Sequence, residues 1–165
     1  MTLRTADTHE LDDIYLMGFD VWGGSASVDD YLAGCNKSNK YQKGTWYVLI
    51  EHQKILSSLI VYQGVFGLED GSCGLGSVAT PPELRGKGYA SKLINMIKNE
   101  LLQNQNNTAL FLHSDIDKTF YRRLGFTVTE GSDCMYITSD GRAFKETLPR
   151  YCLLYTSDAA DDTCC

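Results

Sequence analysis

No apolar run in this chain reaches the ~18 residues that a membrane-spanning helix needs, and Met1-Thr2-Leu3-Arg4-Thr5-Ala6-Asp7 lacks a signal-peptide core. Both absences lead to the expectation of a cytoplasmic protein with no membrane partner. Metal ligands are scarce in any useful pattern. The three histidines, His9, His52 and His113, are scattered, and no CxxC spacing occurs among the cysteines, so neither a zinc site nor another metal centre is expected. Runs of Lys or Arg are missing as well, and a formal net charge of −6 suits a nucleic-acid binder poorly. Internal repeats and low-complexity stretches are absent.

The charge and the cysteine number both shift once the C-terminal end is set aside. Cys152-Leu153-Leu154-Tyr155-Thr156-Ser157-Asp158-Ala159-Ala160-Asp161-Asp162 resembles the translation of an adaptor used in preparing sequencing libraries, and residues 152–165 are expected to be a non-native tail. Without Asp158, Asp161 and Asp162, the 21 acids become 18 against 15 bases, a net charge of −3. The six cysteines become three (Cys35, Cys73, Cys134), an odd number that speaks against a disulfide framework. Residues 1–151 are expected to form a single domain: the chain of 165 residues is long enough for one core, and 43% apolar with 22% charged is ordinary for a globular protein.

What is present centres on the stretch from Gly74 to Leu102. Gly74-Leu75-Gly76-Ser77-Val78-Ala79-Thr80 reads as a strand, Pro81-Pro82-Glu83-Leu84 as a turn and Arg85-Gly86-Lys87-Gly88-Tyr89-Ala90 as a glycine loop. Leu93, Ile94, Ile97 and Leu101 then recur at helical spacing. The free N–H groups of residues 85–90 thus fall at a helix N-terminus, which carries roughly half a positive charge. Glycine at 86 and 88 lets the backbone approach a phosphate, and Arg85 and Lys87 add charge at the rim. The P-loop spacing is not met, and the dinucleotide fingerprint fails at Ser91 and for want of an acidic residue near Asn107 and Thr108.

The loop resembles the acetyl-CoA site of the GCN5-related N-acetyltransferases (GNAT), with the pattern Gln/Arg-x-x-Gly-x-Gly/Ala met by Arg85, Gly88 and Ala90. A second family signature, Tyr-x-x-x-Gly-Phe, is met by Tyr121 to Phe126. The resemblance covers about residues 2–151 and is specific at residues 78–90 and 120–126. It implies an α/β fold with a mixed sheet whose two central strands splay apart, acetyl-CoA as cosubstrate, and a primary amine of a small molecule or peptide as acceptor. A monomer or homodimer would serve. A non-catalytic acyl-CoA-binding or regulatory module of the same fold is the alternative. A nucleotide enzyme of another class is a third reading.

In chain order the patterns predict a strand from Leu3, a helix from Leu11 to Trp22 begun by an Asp7/Glu10 capping box, and a shorter helix begun by Ser27 and Asp30. Asn36 to Lys43 reads as a polar loop. A hairpin of Thr45–Ile50 and Ile55–Phe66 follows, then the central stretch, then Ala109–His113, a strand parallel to the one before the loop. After the helix around Tyr121, Phe126–Val128 and Cys134–Ile137 read as one interrupted strand, and Ser139-Asp140-Gly141 as a turn into a last segment ending at Tyr151. The sum is β-α-α-β-β-β-α-β-α-β-β, the family's order.

The resemblance implies specific roles. Val78 and Thr80 would hold the pantetheine arm through their backbone, with the Val78 N–H polarising the thioester carbonyl; otherwise they are plain strand residues. Gly86, Lys87, Gly88, Tyr89 and Ala90, with Arg85, would bind the pyrophosphate. Tyr121 would protonate the leaving thiolate, its alternative being core packing beside Phe120 and Phe126. Ser114 stands where many relatives carry an asparagine. Ser114-Asp115-Ile116 and Thr80-Pro81-Pro82-Glu83 locally resemble fungal lysine N-acetyltransferases, a hint toward an aliphatic amine. The strand from Leu75 to Ala79 offers no general base; Glu69 and Asp70 precede it, either as loop charges or as a cation site, with a water taking the proton. Gly74 and Gly76 are read as a bulge or a close substrate approach, and Gly23–Ala26, Tyr47 and Tyr62 as candidate substrate walls.

Overall fold

Among the described residues, seven strands form one sheet in the order β1-β2-β3-β4-β5-β7-β6: β1 (Thr2–Thr5), β2 (Thr45–Glu51), β3 (Lys54–Gln63), β4 (Ser72–Ala79), β5 (Ala109–His113), β6 (Thr127–Val128) and β7 (Cys134–Thr138). The computed structural model describes residues 1–68, 70–103 and 107–142; Glu69, the segment after the Ser139-Asp140-Gly141 turn and the tail 152–165 lie outside the described residues. All strand pairs are antiparallel except β4 with β5, as the helical crossover between them requires. Four short helices, α1 (Leu11–Leu16), α2 (Phe19–Trp22), α3 (Val28–Lys37) and α4 (Asn39–Lys43), cover one face. On the other face lie α5 (Tyr89–Gln103) and α6 (Thr119–Arg123).

The α5 face follows from its spacing. Leu93, Ile94, Ile97 and Leu101 are all buried against Leu75, Leu110 and Leu112, and each such side chain contributes roughly 1.5–3 kcal/mol of burial. Glu10 closes the expected capping box by accepting from the Asp7 amide at 2.8 Å. Its carboxylate also grips Arg4 at 2.7 and 2.8 Å, which ties β1 to the first helix and holds the Glu10 carboxyl down at about 2. Ser27 caps α3 by accepting from the Asp30 amide at 3.1 Å.

Three expectations need correction. The helix read as Leu11–Trp22 breaks at Gly18, where a Cβ would lie 2.1 Å from the Trp22 ring, so the chain reaches this close approach only with glycine. The stretch read as a polar loop, Asn36–Lys43, holds the end of α3 and all of α4, which is capped by Ser38 and anchored by Tyr41: that ring stacks on Tyr15 at 5.4 Å and meets Trp46 edge-on at 5.1 Å. The single interrupted strand is two strands, β6 and β7, that fold back on each other.

The functional consequence lies in β4. It pairs with β3 along its length, but with β5 only from Ser72↔Ala109 to Leu75↔Leu112. Beyond Leu75 the two strands part, and the β5-facing backbone from Gly76 to Ala79 has no strand partner among the described residues. On the β3 side the register slips between Ile60↔Gly76 and Ser58↔Ala79, so that Ser77 and Val78 oppose one residue, Leu59. This is a β-bulge, and within it Ser77 adopts a left-handed conformation (φ 44°).

Candidate active site

The parted strands open a cleft of about 930 Å³ whose wall includes Val78, Thr80, Arg85, Gly86, Gly88, Tyr89, Ala90 and Tyr121. Seven of the eight residues singled out for the cofactor and the one for catalysis therefore meet in one place. Lys87 is exposed and outside that wall. Gly86 and Gly88 have φ of +75° and +80°, and a Cβ at either would project into open space. The first helical bond, Lys92 N to Gly88 O at 3.0 Å, leaves the amides that precede Lys92 at the open end of α5. Phosphate oxygens fit such a cradle, and a thioester arm fits the unpaired β4 edge that leads into it.

Arg85 does more than add charge. Its guanidinium forms a two-pronged ion pair with Asp20 at 2.6 and 2.7 Å, and donates to the carbonyls of Thr80 (3.0 Å) and Met17 (3.1 Å). The hydrogen bond and charge of Arg85 hold the Asp20 carboxyl below its usual value. The side chain thus clamps the α1–α2 corner to the end of β4. Thr80 is fixed further by its hydroxyl, which donates to Ser57 Oγ at 3.0 Å while Ser57 donates to the Ala79 carbonyl at 2.7 Å. With its carbonyl taken by Arg85, Thr80 has its N–H to offer the cleft.

Tyr121 is buried, its ring meets Phe120 (4.9 Å) and Phe126 (6.1 Å) edge-on, and it lines the cleft as well. Burial, with the charge of Asp115 in second place, pushes the phenol up to about 12. Ser114 does not face the cleft: its hydroxyl donates to the Ile116 carbonyl at 2.8 Å, within its own loop. The bulge sits at Ser77–Val78, one residue past Gly76. Asp70, Gly23–Ala26, Tyr47 and Tyr62 are not part of the cleft wall. In their place Val21 and Trp22 of α2 and Lys40 and Tyr41 of α4 form its wall, and Ser77 donates to the Tyr41 hydroxyl at 3.3 Å.

A pair that sequence reasoning passed over also reaches the cleft. His113 Nδ1 lies 3.0 Å from Asp133 Oδ1. Burial pushes the Asp133 carboxyl up, but the hydrogen bond and charge of His113 outweigh it and hold the group below its usual value. Far from the cleft, Asp7, His9 and Glu10 bring possible metal-ligand atoms within 4.8 Å of one another, although Glu10 is committed to Arg4. No helix among the described residues is long and apolar enough to cross a membrane.

A family model described as an acetyltransferase (GNAT) domain matches residues 42–128, more than half of the chain. The chain belongs to the GNAT acetyltransferase family. Solved GNAT structures share its fold. A GNAT family acetyltransferase from Brucella melitensis in complex with acetyl-CoA is 19% identical, with 83% of this chain and 86% of that one covered at a TM-score of 0.60. A mutant of the spermidine N-acetyltransferase SpeG from Vibrio cholerae is 20% identical over 84% and 94% at 0.63. YhbS from Escherichia coli in complex with CoA is 14% identical over 84% and 81% at 0.63. No curated protein matches the sequence. The GNAT match spans the hairpin, the parted strands, the glycine loop and the Tyr121 helix, while the cleft residues of α2, Lys40, Tyr41 and Asp133 lie outside it.

Proposed function

We propose that this GNAT domain transfers an acetyl group from acetyl-CoA to a primary amine of a small molecule or peptide, by direct attack in a ternary complex. The observation that carries the reading is the unpaired edge of β4 running into the glycine loop at the start of α5. Bound acetyl-CoA supplies an activated acyl group. The amides of residues 85–90 hold its pyrophosphate, and the N–H of Thr80 orients the arm. The N–H of Val78, beside the bulge, donates to the acyl oxygen as negative charge gathers there. Tyr121 holds a proton on its hydroxyl for the departing sulfur.

Asp115, a carboxylate of the cleft wall beside Ile116, offers an ion-pair partner to a cationic acceptor such as an ammonium group. The spermidine N-acetyltransferases among the structural neighbours, which by name act on a small amine, support such an acceptor. A panel of primary amines offered with acetyl-CoA tests the proposal: release of free thiol that depends on both is expected. Binding of CoA without thiol release for any amine would leave only a non-catalytic acyl-CoA module.

A further inference from the structure

Side chains alternate along β5, and the two cores of the molecule show which way each one points. Leu110 and Leu112 pack under α5 and α6, whereas Ala109 and Phe111 pack under α1 to α4. His113 continues the second set and enters the cleft from the α1–α4 side, at the point where β4 and β5 part. Tyr121 belongs to the opposite core and lines the same cleft. Two titratable side chains therefore reach one space from opposite faces of the sheet, which suits a reaction that takes a proton from an incoming group and gives one to a departing group.

The partner of His113 is set by strand pairing. The antiparallel register His113↔Cys134 brings Asp133 alongside, Nδ1 to Oδ1 at 3.0 Å. The Asp133 backbone is anchored by its carbonyl, which accepts from the Ser114 amide at 3.0 Å, and neighbouring Ser132 by its carbonyl, which accepts from Lys118 Nζ at 2.6 Å. An ionised carboxylate can only accept, so Nδ1 carries the hydrogen and the basic lone pair of the neutral ring is on Nε2. Besides this pair, the charged groups of the cleft are Asp115 on the β5–α6 loop, Lys40 on α4, Arg123 on α6 and Arg85, which is paired with Asp20; Tyr41 and Tyr89 are its other phenols.

We infer that His113 is the base that removes the proton from the attacking amine, with Asp133 as the residue that positions it. The inference rests on the amine acetylation proposed above. An acceptor that binds as an ammonium first gives one proton to Nε2 of His113, which passes it to water; the neutral nitrogen then bonds to the acyl carbon as the carbon–sulfur bond breaks, and its second proton passes to Nε2. The Tyr121 hydroxyl delivers a proton to the sulfur. The imidazolium then gives its proton to water and the phenolate regains one, which restores both side chains.

Two readouts test this role, the first without acetyl-CoA. Nitrogen-15 NMR of the imidazoles in the unliganded protein should show His113 with hydrogen on Nδ1 at neutral pH. Asp133→Asn should raise the share of the form with hydrogen on Nε2, because the acceptor-only carboxylate that holds the hydrogen on Nδ1 is gone. In the second, His113→Gln should lower kcat by a factor on the order of a hundred and remove the acidic limb of the pH profile, with CoA affinity and melting temperature little changed. Asp133→Asn should keep that limb and lower kcat by a smaller factor than His113→Gln. An active protein in which His113→Gln changes neither kcat nor the limb would overturn the assignment, as would hydrogen on Nε2 with no effect of Asp133→Asn. A wild-type protein that acetylates no amine would overturn the function proposed above and this role with it, whatever the NMR of the pair.

Discussion

Replacing Tyr121 by Phe is expected to lower kcat by a factor on the order of ten to a thousand while acetyl-CoA affinity stays nearly unchanged. The ring, and with it the edge-on contacts to Phe120 and Phe126, is preserved in the variant. Only the hydroxyl goes, and that hydroxyl makes no hydrogen bond to a described residue, so little folding stability should go with it. Because burial and then the charge of Asp115 push the phenol up to about 12, it stays protonated throughout the neutral range and always has a proton to give. The loss should therefore fall on the chemical step. It should shrink with a better leaving group, since a less basic thiolate needs less help from an acid. Equal kcat for Tyr121→Phe and the parent, with chemistry limiting turnover, would return Tyr121 to a packing role and leave water as the donor.

Gly88→Val should weaken CoA binding by a factor on the order of ten to a hundred. At φ +80° a side chain is strained by roughly 1–2 kcal/mol, more for a β-branched one, and relief of the strain must reorient the amides that open α5. A tenfold loss corresponds to about 1.4 kcal/mol, so strain of this size alone, taken up in the bound state, reaches the lower bound. Gly88→Ala should fall between Val and the parent. Lys87→Ala, at a position outside the cleft wall, should have a smaller effect through charge alone. Calorimetry that finds CoA affinity unchanged in a folded Gly88→Val protein would contradict the glycine-loop assignment.

How far the sequence discloses this site depends on the range of the interactions. The glycine loop and α5 are local: two glycines with positive φ and an apolar stripe of Leu93, Ile94, Ile97 and Leu101 are visible in consecutive residues. Tyr121 is visible because Gly125 and Phe126 set its register. The parallel strand β5 follows from the crossover. The Arg85–Asp20 clamp joins residues 65 apart through an ion pair and its hydrogen bonds and leaves no local pattern. His113 and Asp133, 20 apart, meet only because β5 and β7 pair in one particular register. The break at Gly18 and the turn of α4 escape for a different reason. Each depends on one aromatic side chain, Trp22 or Tyr41, finding its place in a core that periodicity does not describe.

Backbone amide hydrogen exchange, with and without CoA, addresses the central claim that the opening between β4 and β5 is the acyl-CoA site. CoA should slow exchange at two separate segments, Gly76 to Thr80 and Gly86 to Ala90, and ATP or NAD at matched concentration should slow neither. Protection of the glycine loop by ATP or NAD but not by CoA, or CoA protection that leaves Val78 and Thr80 untouched, would contradict it.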